Sequence, residues 1–438
     1  MNHTNEITQQ ISRRDFLKNS AAAIAATHLS ESPAARAGYV VGSDTIRIGL
    51  IGCGGRGMGA AIEAMRADKG VQLVAIADLL MDRVQQRRST LKERLPEQVK
   101  VNDDCCFDGF DGFKKVIECV DVVLIANAAK FHPLHMKAAI EAGKHVFVEK
   151  PHAIDPAGIK VVQAACQLAR QKRLCVVSGL QSRYHPGYKE TIRRVHDGAI
   201  GEIVAIEENF LRAPYVLYPR KPGLTEAQYQ ASNQYHFHWL SGDDVPQSLV
   251  HNLDRASWAM REQVPVKAHG MGGRSTLRGE IYGSVFDHHA VVYEFASGVR
   301  LYAFCRTIPE CYNETSSIIL GSKGRCNVLR MRIEGETNWQ YEGPRDDPYL
   351  VEHVELFKAI RSGNPINNGD YMARSTLIGI MGQISCYTGK EVTWDQISTS
   401  DFYFPPKPED CRIDMQPPVK PDADGIYPVF TPGVTKLL

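Results

Sequence analysis

Gly52-Cys53-Gly54-Gly55-Arg56-Gly57 carries a G-x-G-x-x-G spacing between the apolar run Ile46 to Ile51 and the stretch Ala60 to Met65. Between a strand and a helix this spacing has mechanical meaning. Gly52 permits the tight turn, Gly54 lets backbone N–H groups approach a pyrophosphate, and Gly57 allows the helix to pack on the strand. Gly55 and Arg56 belong to the same cradle, and the helix N-terminus faces the anion. Asp78 follows about 20 positions after Gly57, where a carboxylate accepts hydrogen bonds from an adenosine ribose. It favours NAD, with NADP possible if Arg56 or Arg83 receives the 2′-phosphate. A second group, Glu149-Lys150-Pro151, ends the run His145 to Val148. Lys150 therefore stands at the carboxyl edge of a sheet, where ligands bind in open α/β folds. Oxidising a secondary alcohol needs a base for the hydroxyl proton while hydride leaves for C4 of nicotinamide. Lys150 is suited to hydrogen-bond that hydroxyl.

These groups need a scaffold. Strands are expected at Ile46 to Ile51, Val71 to Ala77, Asp121 to Ala126, His145 to Val148 and Leu174 to Ser178, with helices between them. The βαβα order implies a doubly wound parallel Rossmann sheet. Further on, Ile203 to Phe210, Ala290 to Phe295, Arg300 to Phe304 and Ser317 to Gly321 alternate as strands of a large, mostly antiparallel open sheet in a C-terminal α+β domain. Val351 to Arg361 and Tyr371 to Tyr387 read as closing helices. From about Phe404 the chain carries eight prolines and reads as an irregular tail. The expected organisation is 1–37 targeting segment, 44–172 nucleotide-binding domain, 173–395 substrate domain and 396–438 tail.

Together with the Gly-rich turn, Asp121-Val122-Val123-Leu124-Ile125-Ala126 leading to His132-Pro133-Leu134-His135, and Ala142-Gly143-Lys144-His145-Val146-Phe147-Val148-Glu149-Lys150-Pro151, are specific. In them the chain resembles the Gfo/Idh/MocA oxidoreductases, the family of glucose-fructose oxidoreductase and inositol dehydrogenase. Gly179-Leu180-Gln181-Ser182-Arg183-Tyr184-His185-Pro186 and Val250-His251-Asn252-Leu253-Asp254 further resemble a branch rich in exported members. The resemblance implies that Lys150 and His251 flank the substrate and that Asn127, His132 and Glu149 join the cofactor site. Asn127-Ala128 replaces a common Thr-Pro pair. An acidic residue belongs four positions before the histidine, where this chain has Gln247, which cannot take up a proton. Either Gln247 positions substrate, or Asp243, Asp244 or Asp254 supplies the carboxylate; helical spacing puts Gln247, His251 and Asp254 near one face. Arg183, Tyr184 and His185 are candidates for the substrate pocket. So is Trp239 in the cluster Tyr235 to Trp239, which suits stacking on a sugar ring and equally suits packing.

With 51 basic and 50 acidic residues in 438 the net charge is +1, so nothing draws the protein to nucleic acid, and no run of about 18 apolar residues spans a bilayer. Eleven cysteines lack zinc or disulfide spacing. Asp287-His288-His289 has no second cluster to complete a metal site. Ser12-Arg13-Arg14-Asp15-Phe16-Leu17-Lys18, the apolar stretch Ala21 to Leu29 and Ala35-Arg36-Ala37 read as a twin-arginine signal, hence a periplasmic or otherwise exported protein using that export machinery, without stable membrane insertion after processing. Because no exchanging nicotinamide pool is expected there, the cofactor should stay bound. Three functions follow: oxidation of a secondary alcohol on a sugar or polyol; a redox-neutral NAD-dependent glycosidase or epimerase acting through a keto sugar; and a noncatalytic carbohydrate-binding protein. The resemblance also implies a homo-oligomer formed through the second sheet.

Overall fold

The computed structural model describes residues 44–276, 279 and 282–438; the expected signal at 1–37 lies outside them. Six strands, β1 (Ile46–Ile51), β2 (Val71–Asp78), β3 (Cys106–Asp108), β4 (Val122–Ile125), β5 (His145–Val148) and β6 (Val176–Ser178), form one sheet. Its order is β3-β2-β1-β4-β5-β6, and every pair is parallel. β4 and β6 are buried at every position, as strands covered on both faces must be. Gly52 has φ +97°, a left-handed turn open to glycine, and a Cβ on Gly57 would stand 1.9 Å from the Gly52 carbonyl oxygen. The helix Gly55–Ala67 buries Met58, Ala61 and Met65 in one apolar cluster with Leu50, Ile76 and Leu124. β6 carries the sheet past residue 172, where the sequence placed the end of this domain, because its three residues pair with β5.

The second sheet contains, among the described residues, β7 (Ile203–Arg212), β8 (Pro265–Gly273), β9 (His288–Phe295), β10 (Arg300–Thr307), β11 (Glu314–Gly321), β12 (Gly324–Asn327), β13 (Arg332–Gly335), β14 (Trp339–Gln340) and β15 (Val392–Thr393). Their order is β14-β13-β12-β11-β7-β10-β9-β8-β15, antiparallel throughout except for β7 beside β10. β9 alternates partly exposed and buried residues along its length, the signature of a sheet with one packed face. On that face lies the helix Gly369–Thr388, and Val291 and Tyr293 share a cluster with Met381 and Ile384. The helix Pro348–Ser362 instead returns to the first sheet, burying Leu356, Phe357 and Ile360 beside Ile48 and Leu50. The tail from Phe404 runs irregularly over the body: Lys130 Nζ donates to the Phe404 carbonyl at 2.7 Å and Tyr427 is fully buried. No helix among the described residues is long and apolar enough to cross a membrane.

Candidate functional site

The carboxyl ends of β1, β2, β4 and β5 open onto a continuous cleft. Its inner end is lined by Gly52, Gly54, Asp78, Phe110 and Asn127. Cβ atoms on Gly54 and Gly55 would meet nothing within 4 Å, so the space a pyrophosphate needs is clear. The Asp78 carboxylate is pinned at the rim by backbone N–H groups of Cys53 and Leu79 at 2.7 and 2.8 Å, with Arg83 at 3.3 Å. Asn127 Oδ1 is buried without a partner, an acceptor available to a ligand. This donor and acceptor set fits a nicotinamide dinucleotide.

Arg56 is tied down. Its guanidinium bonds Glu149 at 2.5 Å and Glu63 at 2.7 Å, approaches Glu352 at 3.8 Å and stacks 4.7 Å from the Tyr349 ring centre. Burial opposes its charge, but Glu149 and Glu63 outweigh that and raise its pKa. It is not free to receive a 2′-phosphate; of the two arginines expected there, Arg83 alone stands beside Asp78. His132, expected to touch cofactor, is 1% exposed, and its ring lies 2.8 Å from the Pro151 carbonyl and 3.0 Å from that of Asn127. It braces the two loops rather than lining the cleft, because both ring nitrogens face backbone.

Past Asn127 and Glu149 the cleft reaches Lys150, Gln234, Tyr235 and Gln247. Lys150 also lines a neighbouring cavity with His185, His251 and Arg255. Lys150 Nζ donates to the Gln247 carbonyl at 2.6 Å. Gln247 sits in a π-helical turn, Val245–Leu249, that runs into the helix Val250–Ala259. Such widened turns concentrate at functional sites. This one changes the expected i, i+4, i+7 face: His251 lines the larger cavity, Gln247 the passage beside Lys150, and Asp254 neither. Burial, then the charges of Lys150 and Arg255, hold the His251 imidazole well below its usual pKa. Its Nδ1 is buried with no hydrogen-bond partner, so it can pair with a ligand in the cavity.

Other expected residues stand elsewhere. Asp254 is fully buried, held by Arg183 at 2.8 Å and by the Ser375 hydroxyl at 2.8 Å. Arg183 spends its guanidinium on Asp254 and Glu262 and stacks between Trp258 and Tyr371. Both are structural, since each satisfies the other's buried charge. Tyr184 packs in the core and donates to Asn368 at 2.8 Å. Trp239 is 1% exposed and donates to Gln230 at 2.7 Å; of its aromatic cluster Tyr235 reaches the cavity. His185 lines the cavity while its Nδ1 caps the helix Pro186–His196. Asp243 accepts from Tyr387 at 2.7 Å, and Asp244 accepts from Arg212 at 2.6 Å. Neither supplies the carboxylate missing at Gln247. Asp287 accepts from the Ser275 and Thr276 amides and pairs with His288, and no group of metal-binding side chains occurs among the described residues. Arg255, one turn past His251, and Tyr349 were missed; the i+4 spacing could have pointed to the first, nothing local to the second.

The parallel sheet with its Gly-rich turn and the adjoining nine-stranded sheet define a two-domain Rossmann-type fold. Residues 46–179 match the Gfo/Idh/MocA model, described as oxidoreductase family, NAD-binding Rossmann fold. Inositol 2-dehydrogenase 3 of Saccharopolyspora erythraea is 28% identical over 261 residues, covering 59% of this chain and 65% of that one. A Halalkalibacterium halodurans protein named inositol 2-dehydrogenase/D-chiro-inositol 3-dehydrogenase is 33% identical over 50% of this chain and 54% of its own length. The chain thus spans less than two thirds of these relatives. Among solved structures, levoglucosan dehydrogenase in complex with NADH and levoglucosan superposes with a TM-score of 0.61 at 17% identity, covering 80% of this chain and 99% of that one, a likeness of fold.

Proposed function

We propose that the protein oxidises a secondary alcohol of a sugar or polyol with NAD as hydride acceptor, and that it works after twin-arginine export as a self-associating enzyme. The observation that carries this reading is Lys150, which lines both the dinucleotide cleft and the cavity holding His251. The names of the inositol dehydrogenase relatives support the substrate class. The twin-arginine pattern supports the location, and exposed Met271 and Leu320 on the second sheet support self-association.

When bound, the nicotinamide supplies the hydride acceptor. Lys150, anchored on the Gln247 carbonyl, hydrogen-bonds the substrate hydroxyl and fixes its oxygen. His251, whose Nδ1 has no partner within the protein, takes the hydroxyl proton. Gln247 holds substrate through its amide and moves no proton. Tyr215 and Tyr235, stacked at 4.2 Å, wall the cavity and exclude water.

The test is to denature purified protein, identify any released nucleotide by mass, and follow nicotinamide absorbance with inositols and sugars as substrates. Released or bindable NAD with substrate-dependent reduction supports the reading. Failure to bind NAD, or glycoside cleavage without net reduction, overturns it. Fractionation of cells and light scattering test location and assembly.

A further inference from the structure

The cavity beside Lys150 holds more positive charge than its own walls neutralise. The carboxylate that lines it, Glu149, is engaged by Arg56 at 2.5 Å. Lys150 Nζ donates to a backbone carbonyl, and Arg255 Nη1 donates to the Ser182 hydroxyl at a long 3.3 Å. Arg255 is 4% exposed, and its Nε and Nη2 are buried without a hydrogen-bond partner. Those two nitrogens form one edge of the guanidinium, the fork that receives both oxygens of a carboxylate.

Glu208 does not fill that fork. Its Oε2 lies 4.0 Å from Arg255 Nη2, outside hydrogen-bond range. Its two oxygens instead accept from Ser317 Oγ and Asn252 Nδ2, each at 2.7 Å, and burial pushes its carboxyl up to about 8, so near neutrality it carries little charge. A buried donor without an acceptor is destabilising, and such groups are accounted for where a ligand or ion supplies the partner. Gln181, which lines the same cavity, has its Oε1 buried and unpartnered as well, an acceptor suited to a hydroxyl. Arg255 follows His251 by four residues on the helix Val250–Ala259, so the two share one face about 6 Å apart.

We propose that Arg255 anchors a carboxylate on the substrate, so that the cavity takes a sugar acid or polyol acid in preference to a neutral sugar. The inference rests on the oxidoreductase reading above and names the substrate class of that site. The carboxylate sits on Arg255, a hydroxyl a few bonds away meets His251 and Lys150, and Gln181 accepts from another hydroxyl.

The experiment is calorimetry on full-length protein in the presence of NAD, with matched acid and amide pairs made from glucuronic, galacturonic and gluconic acids, and with glucose 6-phosphate. Wild type is expected to bind at least one acid about 30-fold more tightly than its neutral amide, and Arg255→Gln to cut that ratio below about threefold. If Arg255→Gln does not fold, Arg255→Lys, which keeps the charge and loses the fork, should still lower the ratio well below that of wild type. No acid bound more tightly than its amide, a ratio unchanged in the variant, or glucose 6-phosphate bound more tightly than every acid overturns the assignment. Nicotinamide reduction with neutral polyols alongside that failure leaves the oxidoreductase reading standing. Acid-selective binding that depends on Arg255, with no nicotinamide reduction by any acid or polyol, supports the carboxylate site and overturns the oxidoreductase reading instead.

Discussion

The nucleotide cleft and the cavity beside it are built on different principles. At the Gly-rich turn the work is done by backbone: Gly52 turns, Gly57 packs against Gly52, and open space above Gly54 and Gly55 receives the ligand. Spacing within six residues sets that geometry. In the cavity, Lys150, His185 and the pair His251 and Arg255 come from three distant segments, and their usefulness depends on what neutralises or frees each charge. Local spacing therefore defines the first site, and long-range partners define the second.

The strongest way to break the comparison is Lys150→Ala. Turnover should fall about 10³-fold or more while NAD affinity, measured by calorimetry, changes little; equal loss of both would merge the two sites into one. Asp254→Asn should cost about 3 kcal/mol of stability by weakening the buried pair with Arg183, seen in denaturant melts, whereas kcat per folded molecule stays near wild type. A selective collapse of kcat would return Asp254 to the cavity. His251→Gln should lower kcat about 10²-fold, and the acid limb of the wild-type pH profile should lie well below pH 6.5 because the imidazole is held neutral. An acid limb at or above 6.5 in kcat/KM would contradict that.

The mildest test is acid stability. Burial pushes His135, His152 and His353 down to about 3 and His145, His236 and His238 to about 4. Each is neutral when folded and regains its ordinary value near 6.5 on unfolding. The unfolded chain thus binds more protons below pH 6.5, so this contribution is complete above that pH and declines toward pH 4. Glu208, raised to about 8 by burial, acts oppositely, its contribution fading as pH rises from about 4.5 to 8. With six groups against one, the melting temperature should fall on acidification from pH 6.5; a rise would refute the assignment.

The same contrast explains what could be read beforehand. β1, β4 and β5 were legible because continuous apolar runs end at turn residues. β3, three residues long, and β8, with Gly270, Gly272 and Gly273 in its nine, offer too little side-chain signal. The π turn at Val245–Leu249 looks helical in sequence, so the i+7 argument for Asp254 failed by geometry. Arg183 and Tyr184 follow a strand just as Lys150 does, and only their partners, Asp254 and Asn368, reveal that they are spent on packing. Trp239 was equally compatible with a sugar face or a core, and Gln230 decides for the core.

The helix Pro348–Ser362 carries a consequence for dissection of the chain. It supplies Leu356, Phe357 and Ile360 to the face of the first sheet opposite the helices that follow β3 to β5, and brings Tyr349 onto Arg56. A fragment ending after β6 would leave the part of that face beneath Leu356, Phe357 and Ile360 bare to water, since the helix Gly55–Ala67 covers only the rest. Nucleotide-binding and substrate halves therefore cannot be cut apart, swapped between homologues or expressed singly without carrying this late helix along, and domain shuffling at residue 179 should yield insoluble protein.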